Sequence, residues 1–240
     1  IREMKRFIMD QEKTPRTKTP GTKRKARVGI IGAGPCGLGT ADFLRRAGFP
    51  VTLFEERAYS GGMVQGTIPG YRATQEAIDQ DMAVIQSLGA EIRFGQKAGR
   101  DFQTADLLKE FDYVVVAAGA QKSMPMNVPG EQAEGVYACL DFLRQARHGE
   151  APKLGKRVGV IGGGDVAMDC ARTAKRLTGG TVQVIYRRTQ REMPAEQEEI
   201  KALLEEGIEI LELAAPVEVI APDGRITALR CIRMKLGEPD

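Results

Sequence analysis

Two stretches of the chain repeat one pattern, in which an apolar run is followed by closely spaced glycines and then by a helical stripe of apolar residues. The first stretch is VGIIGAGPCGLG, which begins at residue 28, and the second is VGVIGGGDVAMDC, which begins at residue 158. A strand, a glycine turn and a helix in this order are typical of a βαβ unit with a parallel sheet. The two turns begin at Gly32 and Gly162, too far apart for a solenoid repeat. The sequence therefore predicts an α/β fold with two Rossmann-like domains.

The rest of the chain predicts parallel sheets and one small antiparallel element, arranged in three layers. We expect strands at 28–31, 51–56, 91–94 and 112–120, helices at 73–88 and 139–147, and a final pair of strands joined by a turn at 222–224. The run 112–120 is apolar throughout, as expected of a parallel strand covered on both faces. Leu38, Phe43 and Leu44 are expected to face the core from the first helix. The acidic run 196–207 is interpreted as an exposed helix face.

Charge and composition argue against several classes of function. The formal net charge of +3 comes from residues 1–27, which hold ten Lys and Arg against three Asp and Glu, so the remainder is mildly acidic. We interpret residues 1–26 as a basic, solvated linker or tail and not as a nucleic-acid-binding surface. The apolar runs are far shorter than the roughly 20 residues of a membrane span, and no signal-peptide pattern is visible. The sequence therefore predicts a cytoplasmic protein that binds neither nucleic acid nor membrane.

The four cysteines, Cys36, Cys139, Cys170 and Cys231, are far apart and form no C-x-x-C pair. This spacing indicates a reducing compartment and argues against a dithiol redox site. No metal site is predicted.

The first glycine turn has the features of a site for the pyrophosphate of a dinucleotide. Gly32, Gly34 and Gly37 have the G-x-G-x-x-G spacing, which allows a tight turn, close approach of the backbone to phosphate and close packing of helix on strand. The phosphates would lie at the positive end of the following helix. Glu55 closes the next strand, where a carboxylate can accept hydrogen bonds from ribose hydroxyls.

The second glycine turn is the G-x-G-x-x-A variant, formed by Gly162, Gly164 and Ala167. Arg187 and Arg188 stand at the end of the strand that follows this turn, in the place that Glu55 takes in the first unit. Guanidinium groups bind a 2′-phosphate through charge-assisted hydrogen bonds, whereas a carboxylate would repel it. The arginines therefore favour NADP(H), with a solvated strand end as the alternative interpretation. Two unlike nucleotide sites suggest a flavin and a nicotinamide that exchange hydride by ring contact, without a protein acid or base.

Five further residues are weaker candidates. His148 lies in a polar loop and is expected to be solvated. Cys36 stands at a helix N-terminus, but a small side chain packed beside the turn is the favoured interpretation. Asp165 is a candidate contact for the nicotinamide end, and Asp169 is interpreted as a surface or capping group. Arg191 is either a third phosphate contact or a surface residue.

Eight blocks between residues 27 and 240 resemble a known family. In chain order they are GAGPCGL, FEE, SGGM, IPGYR, VVVAAGA, VIGGGDVAMDCARTA, VIYRRTQREMPA and MKLGEPD. The order resembles the NADPH-dependent small subunit of bacterial glutamate synthase and its relatives. The resemblance implies an FAD-binding domain over 27–150, with site residues Gly32, Ala33, Gly34, Pro35, Cys36, Gly37, Glu55, Glu56, Gly62, Met63, Arg72, Ala118 and Gly119. It implies an NADP(H)-binding domain over 151–240, following or inserted into the first, with site residues Gly162, Gly164, Asp165, Val166, Ala167, Arg187 and Arg188.

The resemblance also implies an activity. NADPH would pass hydride to FAD, and the flavin would pass electrons to iron-sulfur centres and a partner, expected to be a larger oxidoreductase subunit or an iron-sulfur protein. A homo-oligomer is compatible with this interpretation. The alternatives are the same NADPH and FAD chemistry in a ferredoxin:NADP-type or other reductase subunit, or a non-catalytic nucleotide-binding fragment. Family members carry iron-sulfur cysteines upstream and a second flavin segment downstream, so residues 1–240 alone are expected to bind FAD weakly or not at all.

Overall fold

The computed structural model describes residues 18–237 together with Met4, Phe7 and Gln11. Four parallel strands form the first sheet in the order β3-β2-β1-β4: β1 (Val28–Ile31), β2 (Val51–Phe54), β3 (Glu91–Arg93) and β4 (Tyr113–Val116). The central β1 pairs with β2 and β4, and Ile31 lies opposite both Phe54 and Val116. These three strands therefore end together, at the edge of the sheet where the first glycine turn begins.

Helices cover both faces of this sheet. They are α1 (Pro35–Arg46), α2 (Gly62–Gly66), α3 (Gln75–Ser87) and α4 (Thr104–Glu110). Successive side chains of a strand point to opposite faces, so Ile30 joins a cluster with Ala41 of α1, while Ile31 joins a second cluster with Leu107 of α4. This helix–sheet–helix arrangement confirms the predicted three-layer α/β fold.

A second parallel sheet has the order β5-β6-β7 and is formed by β5 (Arg157–Ile161), β6 (Thr181–Ile185) and β7 (Glu209–Leu211). Its helices are α5 (Cys139–Arg147), α6 (Asp165–Thr178) and α7 (Gln197–Glu205), with a 3-10 turn at Gln190–Glu192. Met168 and Ala171 of α6 are fully buried against Val182 and Val184 of β6 and Leu203 of α7. This hydrophobic cluster therefore packs α6 against the sheet. The second glycine turn lies at the start of α6.

The predicted antiparallel element is confirmed. β8 (Ala214–Ile220) pairs with β9 (Ala228–Arg233), and Ala215 lies opposite Ile232. Gly224 has φ +77° and its N–H donates to the carbonyl of Ala221 at 3.1 Å, so a glycine is favoured in this turn.

The acidic run 196–207 is exposed at Glu196, Glu198 and Glu205 as expected, but the expectation is wrong for Glu199 and Glu206. Arg172 of α6 donates to Glu199 at 2.7 Å and to Glu206 at 2.8 Å, and all three side chains are largely buried. Burial by itself would raise the pKa of Glu206, but hydrogen bonds from Arg176 and Arg172 lower it below its usual value. These ion pairs therefore form a clamp, by which we mean that Arg172 of α6 holds Glu199 and Glu206 at the two ends of α7.

Two packing expectations for the first unit are also wrong. Phe43 is 67% exposed. It follows the buried Ala41 by two residues, which is about 200° around the helix, so it lies on the opposite face. Tyr113 and Val116 of β4 are 63% and 68% exposed, because β4 is an edge strand. Leu38 and Leu44 pack against the core as predicted.

The chain divides into two compact units, Ile1–Gly66 with Gly70–Ala120 and Thr67–Pro69 with Gln121–Asp240. Helix α5 therefore belongs to the second unit. The predicted boundaries at 26/27 and 150/151 stay predictions about the extent of the functional domains. Among the described residues, no helix has both the length and the apolar character that crossing a bilayer requires.

Candidate dinucleotide-binding sites

The first glycine turn follows directly from β1 and depends on the absence of side chains. Gly32 has φ +100°, and a Cβ there would lie 2.4 Å from the carbonyl oxygen of Ala117. A Cβ on Gly37 would lie 2.0 Å from the carbonyl oxygen of Gly32. A Cβ on Gly34 would meet only Gly62 Cα, at 3.7 Å. The outer glycines are therefore required by packing, while Gly34 leaves open space above the turn.

Glu55 joins the end of β2 to this turn. The side chain is 6% exposed, its Oε2 accepts a hydrogen bond from Ala33 N at 2.8 Å, and its Oε1 accepts one from Arg57 N at 3.0 Å. A carboxylate oxygen has two lone pairs, so each oxygen retains capacity for one more donor. The neighbouring Glu56 is exposed and pairs with Lys97 at 3.1 Å. Only the first of the two predicted glutamates thus faces the turn.

Two other chain segments meet the first turn. Gly62 has φ +54°, and a Cβ on it would lie 2.8 Å from Gly34 Cα. Ala118 Cα would lie 3.2 Å from a Cβ on Gly32, and Gly119 follows with φ +69°. The structure thus brings predicted residues from three segments together, and their contact with a cofactor stays a prediction.

The remaining residues predicted for the first site are less closely tied to the turn. Pro35 is the first residue of α1, a position that suits its fixed φ. Cys36 is exposed, so the expectation that it packs beside the turn is wrong. Met63 is half-buried in α2, and Arg72 is half-buried in the loop before α3. The roles of Met63 and Arg72 beside a flavin stay predictions.

The second glycine turn has the geometry of the first, except that its third position has room for a methyl group. Gly162 has φ +129°, and its missing Cβ would lie 3.5 Å from the Cβ of Ala167, an ordinary contact. The third position can therefore be alanine here, whereas Gly37 cannot be replaced without a clash. Gly164 precedes α6 and has open space beside it, since a Cβ there would meet only Pro194 Cγ at 4.0 Å.

A segment that the sequence interpretation missed closes against this second turn. Ala195 N donates to the carbonyl of Gly163 at 3.1 Å, and Glu196 N donates to Oδ1 of Asp165 at 2.9 Å. Asp165 therefore has a main-chain partner in its own chain, and its predicted contact with nicotinamide stays a prediction. Val166 is 43% exposed on the first turn of α6. The sequence signal for this segment was Pro194, because a proline six residues after Arg188 indicates a break in regular structure there.

The paired arginines lie one residue beyond the position predicted for them. Gly32 N donates to Phe54 O at 2.8 Å, and Gly162 N donates to Ile185 O at 3.1 Å, so the two strand ends correspond. The residue after Ile185 is Tyr186, not arginine, and it takes the place of Glu55.

Tyr186 forms a wall of the second turn and thereby sets the position of both arginines. It is 9% exposed, a Cβ on Gly163 would lie 2.6 Å from its ring, and its hydroxyl donates to the carbonyl of Glu192 at 2.8 Å. Arg187 and Arg188 follow it and are exposed, and the carbonyl of Arg188 accepts from Leu213 N at 3.2 Å. The two guanidinium groups therefore stand at the rim of the site on a fixed backbone.

The loop after the arginines is held by its own acidic side chain. Thr189 and Glu192 form a capping box around the 3-10 turn. A hydrogen bond from Thr189 is the main cause that lowers the pKa of Glu192, and the charge of Arg188 adds to it. Arg191 is exposed in a groove that Glu192 and Glu212 also line, and these carboxylates disfavour an anion there. Its role as a third phosphate contact stays a prediction.

Comparison with known families agrees with this geometry. Residues 26–238 match the sequence model of the pyridine nucleotide-disulphide oxidoreductases. The chain belongs to this family.

Several curated oxidoreductase subunits are similar to this chain over most of its length. The NADPH-Fe(3+) oxidoreductase subunit beta of Geobacter sulfurreducens is 38% identical over 228 residues, which cover 92% of this chain and 34% of that protein. The glutamate synthase (NADPH) small chain of Escherichia coli is 34% identical over 255 residues, which cover 100% of this chain and 54% of that protein. These matches confirm the resemblance to the glutamate synthase small subunit. The chain spans about a third of the length of the first relative and about half of the second.

A solved structure shows the same fold at low sequence identity. FprA from Mycobacterium tuberculosis in complex with NADPH has a TM-score of 0.72 and 18% identity, and the match covers 87% of this chain and 67% of that one. The likeness supports the α/β architecture of this family member.

The remaining candidate residues of this family member are His148, Asp169 and two of the cysteines, and they lie in different environments. His148 directly follows α5 and is exposed, as predicted. Asp169 is 5% exposed within α6, so its assignment as a surface or capping group is wrong. Cys170 Sγ lies 3.8 Å from the carbonyl oxygen of Cys139, so two cysteines that are far apart in the sequence are in contact in the fold. Their distance along the sequence hid the contact.

Proposed function

We propose that this chain holds the dinucleotide-binding part of an NADPH-dependent flavin oxidoreductase. In this proposal residues 27–150 provide the FAD site of the full-length protein at the first glycine turn, and residues 151–240 bind NADP(H) at the second. One observation carries the assignment: the strand beside the first turn is followed by the buried carboxylate of Glu55, whereas the strand beside the second is followed by Tyr186 and then by the exposed Arg187 and Arg188.

The first turn fits a flavin nucleotide. Gly34 leaves space in which a pyrophosphate can approach the backbone and the N-terminus of α1, where main-chain N–H groups favour an anion. The free lone pairs of Glu55 are placed to accept from ribose hydroxyls, and the carboxylate charge disfavours a 2′-phosphate there. Gly62 and Ala118 would complete the wall of this site.

The second turn fits a nicotinamide nucleotide that carries a 2′-phosphate. Gly164 opens the N-terminus of α6 to a pyrophosphate in the same way. Arg187 and Arg188 can reach a phosphate from the rim with planar, multiply hydrogen-bonding groups. The names of both relatives contain NADPH, which supports this choice of nucleotide.

The electron acceptor is proposed from the relatives' names. When bound, FAD accepts hydride from NADPH and can release electrons singly. The relatives are named as a subunit beta and a small chain, so we propose a larger oxidoreductase subunit or an iron-sulfur protein as the partner. A cytoplasmic location follows from this proposal.

Dye-linked oxidation of NADPH by the full-length protein, with NADH measured alongside, tests this function. The expected result is bound flavin in the purified protein and dye reduction that prefers NADPH. Tight NADPH binding without bound flavin or dye reduction would instead support a non-catalytic nucleotide-binding protein and would contradict the proposal.

A further inference from the structure

Two cysteines that are distant in the sequence meet between two packed helices. Cys139 is the first residue of α5, Cys170 lies in the second turn of α6, and these helices pack against each other in the second unit. The Cys170 thiol donates to the carbonyl oxygen of Cys139, with Sγ and O 3.8 Å apart, so the two cysteines are in contact. Both thiols are free in the structure.

The two thiols have unlike surroundings. Cys139 is half-buried at the N-terminus of α5, where the helix dipole favours a thiolate. The hydrogen bond from Cys170 lowers the pKa of the Cys139 thiol to about 7. Cys170 is 3% exposed, and its hydrogen bond to Cys139, its burial and the charge of Asp169 all raise its pKa. Cys139 is therefore the accessible, nucleophilic partner, and Cys170 is the buried one.

We propose that Cys139 and Cys170 are a modification site that a hydroperoxide converts to a disulfide. The Cys139 thiolate attacks one oxygen of hydrogen peroxide, the O–O bond breaks, and the hydroxide that leaves takes a proton to become water. Cys170 then attacks Sγ of the resulting Cys139 sulfenic acid, and a second water leaves. Two thiols lose two electrons and two protons, and one peroxide becomes two waters.

The disulfide would enclose the second glycine turn. The chain between the two cysteines contains β5 and the turn from Gly162 to Ala167, so oxidation would tether the start of α6 to α5. The inference depends on the cysteine geometry alone and does not require the proposed nucleotide chemistry.

Peptide mapping of the full-length protein after brief treatment with hydrogen peroxide tests the proposal. After unfolding and alkylation without reductant, we expect one crosslinked peptide pair that joins Cys139 to Cys170, with loss of alkylation at both. Dithiothreitol should restore alkylation at both positions. Full alkylation of both after peroxide, a crosslink of either to another cysteine, or sulfinic acid on Cys139 without a crosslink would each overturn the proposal.

Three variants separate the roles of the two thiols. In Cys170→Ser, Cys139 should stop at the sulfenic acid, which dimedone traps, and in Cys139→Ser dimedone should label no Cys170. The matched control Cys231→Ser should form the crosslink as the wild type does. Equal dimedone labelling of Cys170 and Cys139 in the two variants would contradict the assigned order of attack.

Discussion

Tyr186 occupies in the second unit the position that Glu55 occupies in the first. Each is the buried residue that follows the strand beside its glycine turn, but Glu55 accepts a hydrogen bond from Ala33 whereas Tyr186 packs its ring under Gly163. The first site therefore has a buried carboxylate at this position. The second site has guanidinium groups at its rim, beginning at Arg187. A rim position leaves the guanidinium groups hydrated until a phosphate arrives, which avoids the cost of a buried unpaired charge.

Two glycines of the first turn should respond differently to the same substitution. Gly37→Ala places a Cβ 2.0 Å from the carbonyl oxygen of Gly32, so α1 must shift, and we expect a loss of about 1–3 kcal/mol in the free energy of unfolding. Gly34→Ala meets only Gly62 Cα at 3.7 Å and should leave that free energy nearly unchanged. Urea denaturation of both variants measures the difference.

The same pair separates packing from cofactor binding. Because the new methyl group of Gly34→Ala would fill the space proposed for pyrophosphate, the folded full-length variant should lose bound flavin, measured by absorbance after gel filtration. A Gly34→Ala protein that is as unstable as Gly37→Ala, or that retains full flavin, would contradict this division.

Glu55→Gln should weaken the first unit, whereas Glu56→Gln should not. Two main-chain N–H groups donate to separate oxygens of Glu55, and glutamine offers one oxygen, so one buried donor loses its acceptor. We expect a loss of about 1–3 kcal/mol in the free energy of unfolding for Glu55→Gln. The exposed pair of Glu56 with Lys97 should contribute less than about 1 kcal/mol. Similar losses in the two variants would refute the buried role of Glu55.

Removing Arg172 should loosen the clamp between α6 and α7 in a pH-dependent manner. The pKa of Glu206 is held below its usual value near 4.5, so the stabilisation is present above that pH and is lost as the pH falls through the lowered pKa. Arg172→Ala should therefore cost about 1–3 kcal/mol of unfolding free energy at pH 7 and less at pH 3.

Denaturant titrations at both pH values measure this effect. The matched control is Lys201→Ala, which removes only an exposed pair with Glu205 at 3.7 Å and should change little at either pH. A cost for Arg172→Ala that is equal at pH 7 and pH 3 would show that the ion pairs do not stabilise the unit.

Local pattern predicted the elements of this fold because each carries its own signal. Neighbouring residues alone predict the strand β1, the glycine turn after it and the helix that follows. The repeat of this strand–turn–helix pattern predicted both parallel sheets. Phe43 was misplaced because helical periodicity alone does not fix which residues of a stripe meet the sheet. The exposure of β4 depends on its place at the sheet edge, which is a property of the topology and not of its residues.

The sites were predicted in outline but not in register. Comparison of the two strand ends by sequence placed Arg187 opposite Glu55, whereas hydrogen bonding places Tyr186 there. The closing contacts of Ala195 and Glu196 and the meeting of the cysteines are long-range, and no local pattern encodes them.

The most direct test of the central claim is the affinity of the full-length protein for NADPH and NADH, with and without the paired arginines. Arg187→Ala/Arg188→Ala should weaken NADPH binding by roughly 10- to 100-fold, since a hydrogen bond to a charged group is worth about 1.5–3 kcal/mol. The affinity for NADH should stay the same. The control Arg225→Ala/Arg230→Ala removes equal charge from residues that pair with Glu134 and Glu218, and it should leave both affinities unchanged. An unchanged preference for NADPH in Arg187→Ala/Arg188→Ala would contradict the assignment of the second turn to NADP(H).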